Sequence, residues 1–227
     1  MKKRIALSWS GGKDSCITLD RLVKESFEVA CLVTTVPKNS GRTFAHGEKK
    51  ELIQLQSEAL HLPVHWIDCA LEHYTENFIE SLKELKSTYQ LTSVAFGDLY
   101  LDGHREWGEN VAKAAGLEAL YPIWIGSEKA SLQSLQTFVQ SQYNAVIVKV
   151  RSDCLNEDWL GRELDQKFVQ EIRQMDVCPM GENGEYHTFV YNGPLFEKKI
   201  DLSFGEVQSN DTSKRLEIAD FSLKEKA

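Results

Sequence analysis

Apolar positions in the first half of the chain switch period repeatedly. Short, nearly uncharged runs alternate with segments whose apolar residues recur every three or four positions. Residues 4–9 form one such run, broken at Ser10-Gly11-Gly12, and a helix follows over 14–25 with Ile17 and Leu22 among its apolar positions. Residues 29–36 are rich in β-branched side chains and almost uncharged, as suits a strand buried on both faces. Leu52, Leu55 and Ala59 mark a helix over 48–60 that Pro63 closes, and 64–67 reads as a third strand. Tyr74, Phe78, Leu82 and Leu85 fall on one helical face. Residues 93–96 make a fourth strand ending at Gly97-Asp98. A helix over 106–115 and a short strand at 119–121 complete the series. Strand and helix alternating at this rhythm predict an α/β fold with a doubly wound parallel sheet.

The pattern changes after Pro122. Leu132, Leu135, Phe138 and Val139 form a helical stripe, and 145–150 is a strand. Leu160, Leu164, Phe168 and Ile172 are spaced by four and predict an amphipathic helix. Cys178-Pro-Met-Gly-Glu-Asn-Gly-Glu-Tyr-His-Thr-Phe reads as a turn-rich loop entering a strand over 188–191. Ile200, Leu202 and Phe204 alternate strictly, and the polar residues 209–213 turn the chain into a last strand from Leu216. The second part is therefore expected to be a smaller, mixed α+β domain. The boundary falls near residue 125, giving 1–125 and 126–227.

Charge and cysteine content narrow the class. Lys plus Arg is 26 against 34 Asp plus Glu, a formal net charge of −8. That balance argues against non-specific binding to a nucleic-acid backbone, which needs clustered cations. No apolar run approaches the ~20 residues that span a bilayer. Lys2-Lys3-Arg4 is followed only by Ile5, Ala6 and Leu7 before Ser8, too short for a signal peptide. The five cysteines (16, 31, 69, 154, 178) include no C-x-x-C, which disfavours zinc knuckles and a disulfide framework. A reduced, cytoplasmic protein with no membrane segment is expected.

The strongest chemical signal is Ser8-Trp9-Ser10-Gly11-Gly12-Lys13-Asp14-Ser15. A strand delivers it and a helix follows, so unpaired amide N–H groups and the positive end of a helix dipole would face an anion. Lys13, read as an exposed loop lysine, adds a cation, and Ser10 and Ser15 add hydroxyl donors. It is not a Walker A loop, which needs Gly at 7 and Ser or Thr at 14, where Leu7 and Asp14 stand. Nor is it G-x-G-x-x-G. The plainer reading is a tight turn with a helix N-cap.

S-x-S-G-G-K-D-S resembles the PP-loop of the ATP pyrophosphatases. Gly97-Asp98 with Arg105, Trp159-Leu160-Gly161 and the segment from Gly181 to Phe196 resemble the diphthine–ammonia ligase-related branch, in order and spacing over nearly the whole chain. The resemblance implies a HUP-like PP-loop ATPase domain followed by an acceptor-binding domain. It also implies adenylation of a carboxylate by ATP, loss of pyrophosphate, and displacement of AMP by ammonia or another amine. ATP would then be held by Ser8, Ser10, Gly11, Gly12, Lys13 and Ser15, with adenine near Val33 and Thr34, and with Gly97, Asp98 and Arg105 beyond the fourth strand. Arg105 either reaches an ATP phosphate or forms a surface ion pair. His46 matches a family histidine in a loop that could close over ATP; an ordinary surface histidine is the other reading. Mg2+ would use Asp14 and Asp98, and Lys13 and Asp14 would act in the chemical step.

Members that make diphthamide carry E-G-G-E-x-E, which suits a cationic acceptor. This chain has Glu182, Glu185 and then His187. These three are expected to bind the carboxylate acceptor, a small molecule or a protein side chain, with Glu185 and His187 also catalytic. On one strand face, Glu185 and His187 would point into the same space. Two other classes stay open: a PP-loop enzyme modifying a tRNA base, and a nucleotide-binding protein without turnover. Cys16 invites a sulfur-transfer role, its plainer reading being a small residue packed at a helix N-terminus.

Overall fold

The uncharged runs of the first half become parallel strands. The computed structural model describes residues 3–44 and 46–226. β1 (Arg4–Ser8), β2 (Glu28–Pro37), β3 (Val64–Cys69), β4 (Ser93–Ala95) and β5 (Glu118–Leu120) form one sheet in the order β3-β2-β1-β4-β5. Every neighbouring pair is parallel. β1 is central, and Ile5, Ala6 and Leu7 have no exposed surface, so the strand needs no polar alternation. Helices α1 (Lys13–Lys24), α2 (Lys50–Leu60), α3 (Tyr74–Tyr89) and α4 (Asp102–Ala115) make the crossovers. The spacing of α3 buries Phe78, Leu82 and Leu85, which join Val94, Phe96 and Val111 in one core. Strand order reverses at β1, between β2 and β4, so the switch point of the sheet lies at the carboxyl end of β1.

Several helix starts differ from the spacing, α1 by a single residue. α2 begins at Lys50 rather than Glu48, because the chain before it folds back on itself: Arg42 bridges Lys49, and Thr43 N–H donates to the Glu48 carbonyl at 2.8 Å. α2 ends at Leu60, as the spacing predicts, but the stop is made by the cap residue His61, whose left-handed backbone (φ 53°) turns the chain ahead of Pro63. α4 begins at Asp102 rather than 106, which puts Arg105 inside its first turn.

The second half contains α5 (Ser131–Gln140), β6 (Asn144–Arg151), α6 (Gln166–Ile172), β7 (Tyr186–Asn192), β8 (Lys198–Ser209) and β9 (Ser213–Glu225). Its four strands form an antiparallel sheet in the order β7-β6-β9-β8. The helix expected from Leu160 to Ile172 is shortened to α6. Gly161 takes a left-handed φ of 76°, and residues 161–164 run along β6 instead. Gly161 N–H donates to the Ile147 carbonyl, Ile147 N–H to Arg162, and Leu164 N–H to Ala145, each at 2.9 Å. Asp165 then caps α6, its Oδ1 accepting from Phe168 N–H at 2.7 Å. Contacts divide the chain into two compact units, Met1–Ser10 with Asp14–Trp124, and Gly11–Lys13 with Ile125–Ala227. Three residues of the first loop thus group with the second half. Among the described residues no helix is long and apolar enough to cross a membrane.

Candidate active site

The Ser8–Ser15 loop leaves the carboxyl end of β1. β2 holds its first bend: Trp9 N–H donates to the Val33 carbonyl at 2.8 Å, and Thr34 Oγ1 donates to the Trp9 carbonyl at 2.8 Å. Gly11 has φ 81°, a conformation that glycine takes without steric cost. Its carbonyl accepts from Val190 N–H at 2.9 Å, and Lys13 N–H donates to Thr188 Oγ1 at 3.0 Å, so residues 11–13 lie along β7. Lys13 is 2% exposed, not the open loop lysine expected from its position. Its Nζ sits 4.9 Å from the centre of the Tyr186 ring.

The first turn of α1 is packed tightly within the first unit. Ser10 Oγ and Ser15 Oγ are 3.4 Å apart, and Thr18 Oγ1 donates to the Asp14 carbonyl at 2.7 Å. A Cβ on Gly97 would stand 3.2 Å from the Asp14 carbonyl carbon and 3.3 Å from its oxygen. Gly97 therefore lets β4 end directly against the helix. Asp98 keeps Oδ1 3.1 Å from His104 Nδ1. Arg105 pairs with Glu109 at 2.8 Å and lies over Trp124 and Tyr121, 5.0 and 5.6 Å from their ring centres. Here Arg105 forms the surface ion pair of its second reading. His46 is half-buried in the turn between residues 43 and 48.

The Cys178–Glu185 loop is built around one carboxylate. Glu185 is 4% exposed. Its Oε1 accepts from Cys178 N–H at 3.0 Å and from Asn183 Nδ2 at 3.1 Å, and its Oε2 from Asn183 N–H at 3.0 Å. Arg151 clamps the same turn, donating from Nη1 to the Asn183 carbonyl at 2.6 Å. Gly181 and Gly184 supply left-handed corners at φ 67° and 80°. β7 begins at Tyr186, one residue after Glu185, so strand alternation does not extend far enough to set Glu185 and His187 on one face. Glu185 turns into its loop, whereas Glu182 and His187 are half-buried.

Cys16, beside the phosphate loop, is 1% exposed, and burial pushes its thiol well above the usual range, with Asp14 and Asp20 adding to the shift. A thiol in that state is a poor nucleophile, which weakens a sulfur-transfer role.

The structure thus gathers the candidate residues in two sets. Within the first unit, Ser10, Asp14, Ser15 and Gly97 meet at the start of α1, Val33 and Thr34 anchor Trp9, and Asp98 joins α4 through His104. Within the second, Gly11 and Lys13 lie on the strand that follows Glu182 and Glu185. Three side chains that shape this set were not singled out from sequence: Thr188, Tyr186 and Arg151. The first two lie inside the motif quoted above, next to its acidic residues. Arg151 ends an ordinary strand and carries no sequence signal.

Two family profiles match the chain. One, described as diphthamide synthase N-terminal domain, covers residues 2–119, and the other, diphthamide synthase C-terminal domain, covers 130–221. The chain is 29% identical to the diphthine–ammonia ligase of Bos taurus, over 90% of this chain and 84% of the relative. It is 28% identical to that of Homo sapiens, with the same coverage, 90% and 84%. It is 30% identical to that of Schizosaccharomyces pombe, over 87% of this chain and 36% of the relative. With both domains matched in order, the chain belongs to the diphthamide synthase family.

Proposed function

We propose that the chain is an ATP-dependent, amide-forming ligase of the diphthine–ammonia ligase type. The observation that carries this reading is the bonding of residues 11–13 to Thr188 and Val190, on the strand entered directly from the acidic 182–185 segment. A phosphate-binding loop and an acceptor loop built on one strand suit a reaction that joins the two substrates. A carboxylate oxygen of the acceptor attacks the α-phosphorus of ATP, and the bond to pyrophosphate breaks. Ammonia then adds to the acyl carbon and loses a proton to water, and the C–O bond to AMP breaks, leaving the amide.

Each residue set has a part in this scheme. Ser8, Ser10, Gly11, Gly12, Lys13 and Ser15 hold the phosphates, and Lys13 offsets charge on the leaving pyrophosphate. Adenine lies along β2, by Val33 and Thr34 in the middle of the strand, with His46 in the loop beyond its end. Arg105 is exposed enough to leave Glu109 for a phosphate. The hard carboxylate oxygens of Asp14 and Asp98 suit Mg2+, which would neutralise phosphate charge when bound; Asp98 has an oxygen on His104 and a side chain 24% exposed. Glu182 and His187 face the acceptor, and Glu185 keeps their loop in shape. His187 stands where the family pattern has a third acid, so the acceptor is proposed as a carboxylate without restriction to diphthine.

The test is product analysis. The purified chain is incubated with ATP, ammonium and candidate carboxylates, including diphthine-bearing protein. AMP and pyrophosphate, rising with ammonium and acceptor, are expected. ADP with free phosphate would overturn the reading.

A further inference from the structure

We infer that Tyr186 is a positioning residue for Lys13, its ring being the seat that aims the ammonium group at bound polyphosphate. The inference rests on the phosphate-loop reading above. A lysine buried to 2% exposure has lost most of the water that would solvate its charge. An aromatic face within about 6 Å replaces part of that solvation. The Tyr186 ring lies at 4.9 Å from Nζ.

Three contacts hold the ring itself. Its hydroxyl donates to the Pro179 carbonyl at 2.6 Å. Phe168 meets it edge-on, with ring centres 5.6 Å apart and planes at 74°. Gly181 lies so close that a Cβ there would stand 2.9 Å from two ring carbons and from the Tyr186 carbonyl oxygen. Two of these three contacts come from the loop that Glu185 organises. The conformation of that loop therefore reaches Lys13 through one aromatic ring, and a change in the loop is felt at the phosphate site without any direct contact to ATP.

The experiment measures ATP affinity by calorimetry, with AMP formation followed in parallel. Tyr186→Leu should weaken ATP binding about fivefold to tenfold, and Tyr186→Phe, which keeps the ring, should recover most of the loss. In a Lys13→Met background, Tyr186→Leu should cause no further loss, because the ring acts through the ammonium. Phenylalanines with one, two and three ring fluorines at position 186 keep the side chain's size while draining negative charge from its face. Affinity should fall stepwise along that series, whether or not the Leu variant folds. A flat fluorine series, or an equal loss in both lysine backgrounds, would overturn the inference. A wild-type chain that binds ATP but never forms AMP would strike the ligase reading alone, since the affinity series would still decide the role of Tyr186. A wild-type chain without ATP affinity would end both.

Discussion

The two loops that meet β7 are stabilised in different ways. In residues 8–15 the main chain itself is tied to neighbouring strands: the Gly11 carbonyl accepts from Val190 N–H, Lys13 N–H donates to Thr188 Oγ1, and Trp9 N–H donates to the Val33 carbonyl. Residues 178–185 are held by a side chain, the Glu185 carboxylate, which takes three hydrogen bonds inside the loop. Changing a side chain in the first loop should therefore alter what it binds more than how it folds. In the second, removing one charge should alter the fold of the loop, and any effect on chemistry would follow from that.

The largest effect expected from this contrast is at Glu185. Glu185→Ala leaves the buried Cys178 N–H without its acceptor and takes two more bonds from the part-buried Asn183. With an unsatisfied buried donor worth about 1–3 kcal/mol, the total loss should be about 2–4 kcal/mol. Glu185→Gln, which puts an NH2 where one oxygen accepted, should cost less, about 1–3 kcal/mol. Both should lower the urea midpoint and speed proteolysis between residues 176 and 185. A midpoint equal to wild type for Glu185→Ala would mean that the carboxylate does not shape the loop.

Lys13 should show the reverse behaviour. Lys13→Met keeps the buried stem and removes the charge, so the fold should survive while ATP affinity falls by about tenfold or more. If Lys13→Met unfolds the chain as readily as Glu185→Ala, the distinction between the loops fails. Thr188→Val comes next in size. It removes the acceptor for Lys13 N–H and should cost about 1 kcal/mol, visible as a small loss of ATP affinity that Thr188→Ser restores.

The contrast also explains what could be read from the chain before folding. The parallel sheet was legible because β1 and β2 are buried on both faces, and that burial leaves its mark in a run of neighbouring residues. The Leu160–Ile172 stripe misled because spacing by four continued across Gly161 and Asp165, where a left-handed corner and a cap separate the residues. The burial of Lys13 was not legible at all. Its backbone N–H is bonded to Thr188 on β7, 175 positions away, and no local pattern encodes a partner at that distance. Glu185 stood out as acidic, but its partners are mostly backbone N–H groups, which every residue type but proline offers, so its part in shaping the loop had no signature.

The smallest effect lies away from both loops and serves as their control. His65 on β3 contacts Tyr89, with Nε2 2.8 Å from the phenol oxygen, and burial holds its pKa below the ordinary value of about 6.5. The folded chain thus resists protonation there, and the unfolded chain binds the proton more readily. Stability from this group is complete above about pH 6.5. It is lost as the pH falls through the lower folded pKa, and is constant below that. Urea midpoints measured between pH 7.5 and 5 should decline, and His65→Phe should flatten that decline without altering ATP affinity. The same slope in the His65→Phe variant would assign the acid sensitivity to other groups. A loss of ATP affinity in that variant would mean that β3 influences the phosphate loop, so that the bonds from β2 and β7 would no longer account for how that loop is held.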